Sequence, residues 1–181
     1  MQELVELAQG GDRDAFAALA SRVVDRLYAV AYGILRDGDR AHDAVQSGLL
    51  NAWRQLPTLR DPSRFDAWIN RVVVSACYDE ARQRKSWERS IRVIRSEPTE
   101  PDAAESLANH DQLERAFRRL SPEQRAVVVL HHYLGHELQE IAATLGIPVG
   151  TARSRLHYAL RGLRAALQAD ERVPVAGDRI A

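Results

Sequence analysis

The segment 138–158 leaves this chain the fewest ways to fold. Leu138-Gln139-Glu140-Ile141-Ala142-Ala143-Thr144-Leu145 runs into Gly146-Ile147-Pro148 and then into Val149-Gly150-Thr151-Ala152-Arg153-Ser154-Arg155-Leu156-His157-Tyr158. Ile141 and Leu145 in the first stretch, and Ala152 and Leu156 in the second, recur at helical spacing and share one core. Gly146 can adopt the positive φ of a tight turn, Ala142 lets two helices cross closely, and Ile147 plugs the gap between them. Two helices joined this way form a helix-turn-helix. The outward positions of its second helix are Thr151, Arg153, Ser154, Arg155, His157, Arg161 and Arg164, and no acid occurs in 141–169. A polar face without acids is what insertion into the DNA major groove requires. A bidentate arginine–guanine contact there contributes roughly 1–3 kcal/mol of base discrimination. The bland alternative is a helical hairpin with a solvated basic face.

The rest of the chain also has helical periodicity. Phe16, Leu19, Val23, Leu27, Val30 and Ile34 step by three or four, with Asp12 placed to cap the start. Asp37-Gly38-Asp39 breaks that pattern. Ala41, Val45, Leu49, Ala52 and Leu56 then predict a second helix, stopped by Pro57. After a loop holding Pro62, Phe65, Trp68, Val72 and Ala76 form one stripe and Ile69, Val73 and Cys77 an adjacent one. So wide an apolar face predicts a deeply packed helix. Further on, Leu113, Phe117 and Leu120 lead to Ser121-Pro122-Glu123-Gln124. There Ser121 can cap, Pro122 suits the first turn and Gln124 completes a capping box. That helix carries Val127, Leu130 and Leu134 and ends at Gly135. Nothing alternates with period two over a strand's length, so the fold class is all-α.

Charge divides the chain in two. Its formal net charge is zero, yet this is a sum of local excesses. Residues 82–95 hold Arg82, Arg84, Lys85, Arg89, Arg92 and Arg95 against Glu88 alone. The stretch 96–114 has Glu97, Glu100, Asp102, Glu105, Asp111 and Glu114 with no Lys or Arg, and Pro98 and Pro101 mark its start as a linker. The expected organisation is therefore two small helical domains, 1–95 and 112–169, joined by an acidic flexible linker at 96–111, with a flexible tail at 170–181.

Several function classes drop out. A single cysteine, Cys77, excludes an internal disulfide and fits a reducing compartment. No run approaches the ~20 apolar residues of a membrane span, and 1–10 lacks a basic-then-apolar leader, so a cytoplasmic location without membrane insertion is expected. No glycine-rich phosphate loop or nucleophile elbow occurs. His132 and His136 have the i, i+4 spacing of a metal pair, but Gly135 interrupts the helix and a His-Glu-x-x-His pattern is missing. We therefore expect no catalytic residues, no cofactor and no metal.

These residues resemble a known family. Leu120-Ser121-Pro122-Glu123-Gln124-Arg125, Glu140-Ile141-Ala142 and the run from Pro148 through His157 are similar to the C-terminal domain of extracytoplasmic-function (ECF) sigma factors, which reads the −35 promoter element. Asp43-Ala44-Val45-Gln46, Ala52-Trp53, Phe65-Asp66-Ala67-Trp68-Ile69-Asn70-Arg71 and Asp79-Glu80-Ala81-Arg82 resemble the family's other domain, which grips core RNA polymerase and opens the −10 element. The resemblance covers roughly residues 1–168, and two such domains in this order are far more specific than the helix-turn-helix alone. It implies −35 contacts from Thr151, Arg153, Ser154, Arg155, His157, Tyr158 and Arg161. It implies −10 contacts from Arg60, Asp61, Ser63, Arg64, Asn70, Arg71, Ser75, Asp79 and Arg82. Docking on the polymerase falls to Asp43, Gln46, Leu50, Trp53 and Arg54. The implied partners are core RNA polymerase, through its largest-subunit clamp and its flap, promoter DNA and an anti-sigma factor. Tyr158 and Leu160 stand where the family often has arginines, Ser47 and Leu49 depart in the docking helix, and Glu137 replaces a frequent capping serine.

Physical chemistry bears on each implied site. Trp53 is the type of aromatic that anchors interfaces, and it can equally fill a core. A proline-stiffened loop with Arg60, Asp61 and Ser63 could hold an extruded base at little ordering cost; unstacking that base costs a few kcal/mol. The two promoter elements lie ~85 Å apart at ~3.4 Å per base pair. Domain radii of ~13 Å leave roughly 60 Å, and residues 96–111 span at most ~55 Å when extended. The rival reading is a helix-turn-helix regulator with a helical sensing domain, which would bind duplex DNA without polymerase.

Overall fold

A computed structural model describes residues 1–94 and 110–170, and the side chains of 1–87 and 112–168. The expected linker (apart from its last two residues) and the tail beyond residue 170 lie outside the described residues, as do the side chains of Arg89 and Arg92. All regular structure among the described residues is helical: α1 (Gln2–Gln9), α2 (Arg13–Leu35), α3 (Gly38–Gln55), short 3-10 turns at Leu56–Thr58 and Pro62–Arg64, α4 (Phe65–Ile94), α5 (His110–Arg119), α6 (Pro122–His132), α7 (Leu138–Leu145) and α8 (Val149–Asp170).

Asp12 caps α2, its Oδ1 accepting from the backbone N–H of Asp14 at 2.9 Å and of Ala15 at 3.0 Å. Leu19, Val23, Leu27, Val30 and Ile34 are buried as the periodicity requires, while Phe16 is half-buried. Asp37 caps α3 by accepting from the N–H of Arg40. That helix therefore begins inside the stretch read as a break. Helix α1 was not legible as an element. It is only eight residues long, too short to show a period, and tertiary contacts hold it. Val5 and Ala8 are buried, and the Gln9 side-chain amide donates to the carbonyls of Leu56 at 3.1 Å and Leu59 at 2.6 Å.

Helices α2, α3 and α4 enclose the first core. Gly48 sits where α3 crosses α4: a Cβ added there would lie 2.8 Å from Val73 Cγ2 and 3.3 Å from Val73 Cα. Helix α4 is one 30-residue rod, about 45 Å long at 1.5 Å per residue. The change to basic residues near 82 falls inside this helix; the rod runs past the core, and its far end carries the charge.

Cys77 is fully buried in this core, and burial pushes its thiol up to about 12. Tyr78 is also raised, by burial first. The folded state thus holds both protons more tightly than the unfolded chain does. Their stabilising contribution is complete below the ordinary thiol value of 9.0 and is lost as pH rises from there toward 12. Urea midpoints should fall steeply over that window, and Cys77→Ala should flatten part of the fall. An equal slope in the variant would show that Cys77 is not responsible.

In the second half, the Ser121 backbone N–H donates to Gln124 Oε1 at 2.9 Å and the Gln124 N–H to Ser121 Oγ at 3.3 Å, closing the expected capping box. Gly146 has φ +64° and ends α7 in the left-handed region, as the turn demands. Helix α5 takes in His110 and Asp111, the last two residues of the expected linker.

The halves do not stand apart. Ala126 and Val129 of α6 pack into the core of α2–α4, while Val127, Val128 and Leu130 face the core formed with α7 and α8. Ala126 through Leu130 are all buried, so α6 is enclosed on every side. Val129 fits against Gly33, where an added Cβ would meet Val129 Cγ2 at 2.7 Å.

Candidate nucleic-acid interface

Helix α8 separates its two faces cleanly. Ala152, Leu156, Ala159 and Leu163 are buried, while Arg153, Ser154, His157, Tyr158, Arg161 and Arg164 are exposed. The Ser154 hydroxyl donates to the Thr151 carbonyl at 3.0 Å, and the His157 and Tyr158 rings meet edge-on at 5.6 Å. Tyr158 is 59% exposed and Leu160 packs inward, so of the two departures only Tyr158 joins the outer face. Thr151 and Arg155 are half-buried. Arg155 turns toward the seam between the halves, where its charge acts on Tyr78 of α4 and on Glu123.

The loop before α4 is built by one carboxylate. Asp61 Oδ1 accepts from the Ser63 N–H at 3.0 Å and from the Ser63 hydroxyl at 2.6 Å, closing the 3-10 turn through Pro62. These two bonds, the hydroxyl's first, hold the Asp61 carboxyl below its ordinary value. The Ser63 proton is committed, which leaves its oxygen as an acceptor. Arg60 and Arg64 are exposed on either side. A cavity of about 600 Å³ lies between this loop and α7, lined by Arg60, Asp61, Ser63, Arg64, Trp68 and Arg71 on one side and by His136, Glu140 and Thr144 on the other.

Of the expected strand contacts on α4, Arg71, Ser75, Asp79 and Arg82 are exposed, with Asp79 and Arg82 paired to each other. Asn70 does not join them. It is 1% exposed and its buried Oδ1 has no hydrogen-bond partner. Helical geometry turns position 70 inward beside Ile69 and Val73, so its expected place along the DNA strand is corrected to the interior.

On α3, Asp43, Gln46, Leu50 and Arg54 form one exposed stripe, with Leu50 54% exposed. Trp53 stands at its edge, half-buried, its ring 5.0 Å from that of Phe16 in an edge-to-face contact. It therefore braces α3 on α2 while keeping part of its surface outward. His131 Nδ1 lies 2.9 Å from the His136 carbonyl, and no group of three or more metal-binding side chains occurs among the described residues.

Comparison with known proteins converges on one family. The Sigma-70 region 2 model matches residues 19–87 and the Sigma-70 region 4 model matches 110–163. The ECF RNA polymerase sigma factor SigL of Mycobacterium tuberculosis is 34% identical over 170 residues, covering 87% of this chain and 94% of that protein. The chain belongs to the ECF sigma factors. It directs promoter-specific transcription with RNA polymerase. The RNA polymerase sigma-E factor of Streptomyces coelicolor is likewise 34% identical, over 80% of this chain and 81% of the relative. Among solved structures, the sigma factor RpoE of Bartonella quintana in complex with the anti-sigma factor NepR matches with TM-score 0.67 and 25% identity, covering 86% of this chain and 98% of that one. CnrH in complex with the cytosolic domain of CnrY matches with TM-score 0.67 and 26% identity, over 93% and 97%.

The region 2 match runs from within α2 into α4 and the region 4 match from the start of α5 into α8, so the match to region 2 sets aside a free-standing operator binder. The seam between the regions holds residues that sequence reasoning missed. Arg36 ends α2 with φ 56°, a left-handed conformation uncommon outside glycine. From there its guanidinium pairs with Glu114 of α5 and lies over the rings of Tyr32 at 4.9 Å and Phe117 at 5.5 Å. Arg125 Nη1 donates to the Ile34 carbonyl at 2.5 Å. Only the unbroken run Ala126–Leu130 hinted in the sequence that α6 has neighbours on both sides. No helix among the described residues is long and apolar enough to cross a membrane.

Proposed function

We propose that this sigma factor reads the −35 element with Thr151, Arg153, Ser154, Arg155, His157, Tyr158 and Arg161 of α8. The −10 strand is taken by Arg60, Asp61, Ser63 and Arg64, and by Arg71, Ser75, Asp79 and Arg82 of α4. Asp43, Gln46, Leu50, Trp53 and Arg54 of α3 dock on core polymerase, and the boundaries of the two working domains follow α1–α4 and α5–α8. The observation that carries the reading is the acid-free exposed face of α8 backed by a buried apolar one. The turn closed by Asp61 supports the second site, since a preformed acceptor can meet an extruded base without ordering cost. Asn70 serves as packing here rather than as a contact. An anti-sigma factor is a further partner on this reading, supported by the similar RpoE structure, which was solved with the anti-sigma factor NepR. The whole cycle needs no cofactor and takes place in the cytoplasm.

Contact with both elements requires the halves to part, because sites ~85 Å apart along DNA cannot be reached while α6 lies against α2. The closed arrangement is then the resting one, with α7 standing across the cavity of the −10 loop.

Arg153→Ala should reduce run-off transcription by core polymerase roughly 5- to 150-fold on a promoter with its own −35 sequence. On a template whose −35 element is scrambled, the variant and the parent should initiate equally poorly. A loss of the same size on both templates would remove Arg153 from the −35 site.

A further inference from the structure

The cavity beside the Asp61 loop is lined by three carboxylates, Asp61, Asp66 and Glu140, as well as by Arg60, Arg64 and Arg71. A DNA strand entering there brings a negative charge with every nucleotide, and each exposed carboxylate opposes it. Asp61 is committed to the Ser63 N–H and hydroxyl. Glu140 belongs to α7, where its Oε2 accepts the Glu137 N–H at 2.8 Å, and it leaves with region 4 when the halves part. Asp66 stays. It stands in the first turn of α4, where the helix dipole favours a negative charge. The fold thus keeps a carboxylate where an incoming strand disfavours one.

Arg26 of α2 meets this conflict. Its Nη2 donates to Asp66 Oδ1 at 2.5 Å across forty positions of sequence. The Arg26 side chain is half-buried and does not itself line the cavity. Its Nε is buried with no hydrogen-bond partner, so the molecule tolerates an unsatisfied donor to hold the guanidinium behind Asp66. We propose that Arg26 is a positioning residue of the −10 site, which orients the Asp66 carboxylate and cancels its charge. The strand then meets the field of Arg60, Arg64 and Arg71 without an opposing one. The proposal rests on the −10 reading of this loop; Arg26 acts through Asp66 and does not touch DNA.

The test uses holoenzyme reconstituted from core RNA polymerase and the full chain, on a promoter recovered by start-site mapping. Run-off rates against DNA concentration give the half-saturating concentration and the maximal rate separately. Arg26→Met should raise the half-saturating concentration roughly three- to tenfold at an ionic strength of about 0.05 M, with the maximal rate unchanged. At about 0.2 M the ratio to the parent should shrink to within about twofold, because salt screens a repulsion and does not mend a packing defect. Asp66→Asn added to Arg26→Met should restore the parent value, and Asp66→Asn alone should bind at least as well as the parent. Arg22→Met removes the same charge from an exposed position one turn away and should stay within about twofold of the parent. Circular dichroism confirms folding, and Arg26→Gln replaces the methionine variant if that one does not fold. A loss that Asp66→Asn fails to restore, or that Arg22→Met reproduces in full, overturns the proposal. Arg64→Ala separates this failure from failure of the −10 reading. If Arg64→Ala weakens promoter binding and Arg26→Met does not, the positioning role falls alone; if neither has an effect, the −10 reading falls with it.

Discussion

Oxidation of a Gly33→Cys/Val129→Cys chain should abolish promoter-directed transcription, and reduction should restore it. A Cβ built on Gly33 lies 3.7 Å from the Cβ of Val129, inside the ~3.5–4.5 Å that a disulfide spans. The two positions belong to α2 and α6, so the bond would fasten region 2 to region 4. Promoter binding on the proposed reading draws on an open form, and a covalent lock removes that form altogether. The expected loss is about 100-fold or more, limited by the residual reduced fraction. Cys77 is fully buried and does not compete for the bond. Either single-cysteine chain, and the double variant in reductant, should transcribe like the parent. Full activity of the oxidised chain would mean that the closed arrangement itself works on DNA.

Gly48→Val should be the most damaging single change to the fold. Most glycines tolerate a side chain at the expense of a rotamer nearby, but here the obstacle includes backbone. The new Cβ would stand 3.3 Å from Val73 Cα as well as 2.8 Å from its Cγ2, and α3 cannot retreat without opening the packing at Ala44 and Ala52 on either side. Overpacking of this type costs about 3 kcal/mol at the upper end of its usual range, and valine recovers little helix propensity over glycine. In a chain of this size that lowers the melting temperature by roughly 6–12 °C. Gly48→Ala should cost less, because alanine recovers up to ~1 kcal/mol of helix propensity. Adding Val73→Ala to it should recover part of the loss by clearing the Cγ2 contact. An unchanged melting temperature for Gly48→Val would show that α3 and α4 are not closely apposed at this crossing.

Much of this molecule was legible because its signals are local. The stripe of α2, the Asp12 cap, the Ser121–Gln124 box and the left-handed Gly146 each depend on residues within a turn or two, and each is present. The outer face of α8 follows from the same arithmetic, since Ala152, Leu156 and Ala159 fix which residues remain outside. Asn70 shows the limit of a motif read without its helix: it matched the family's pattern, but its phase on α4 turns it into the core. Helix α1 escaped because eight residues show no period, and Gln9 ties it down through carbonyls nearly fifty positions away. The seam was the largest omission. Arg36, Glu114 and Arg125 look like ordinary surface charges in sequence, and their pairing depends on α2 meeting α5 and α6. The expectation of two domains spaced by a linker rested on charge and proline content. Those features describe how far the chain can stretch and carry no information on whether its halves also fit together.

The central claim, a two-point grip on promoters by region 2 and region 4 acting with polymerase, is met most directly by one reconstitution. Core RNA polymerase free of other sigma factors is incubated with genomic DNA, with and without this chain, and the 5′ ends of the transcripts are sequenced. The account predicts new start sites preceded by one common −10 and one common −35 sequence, the latter no longer selected when Arg153 is alanine. Start sites identical with and without the chain would contradict it.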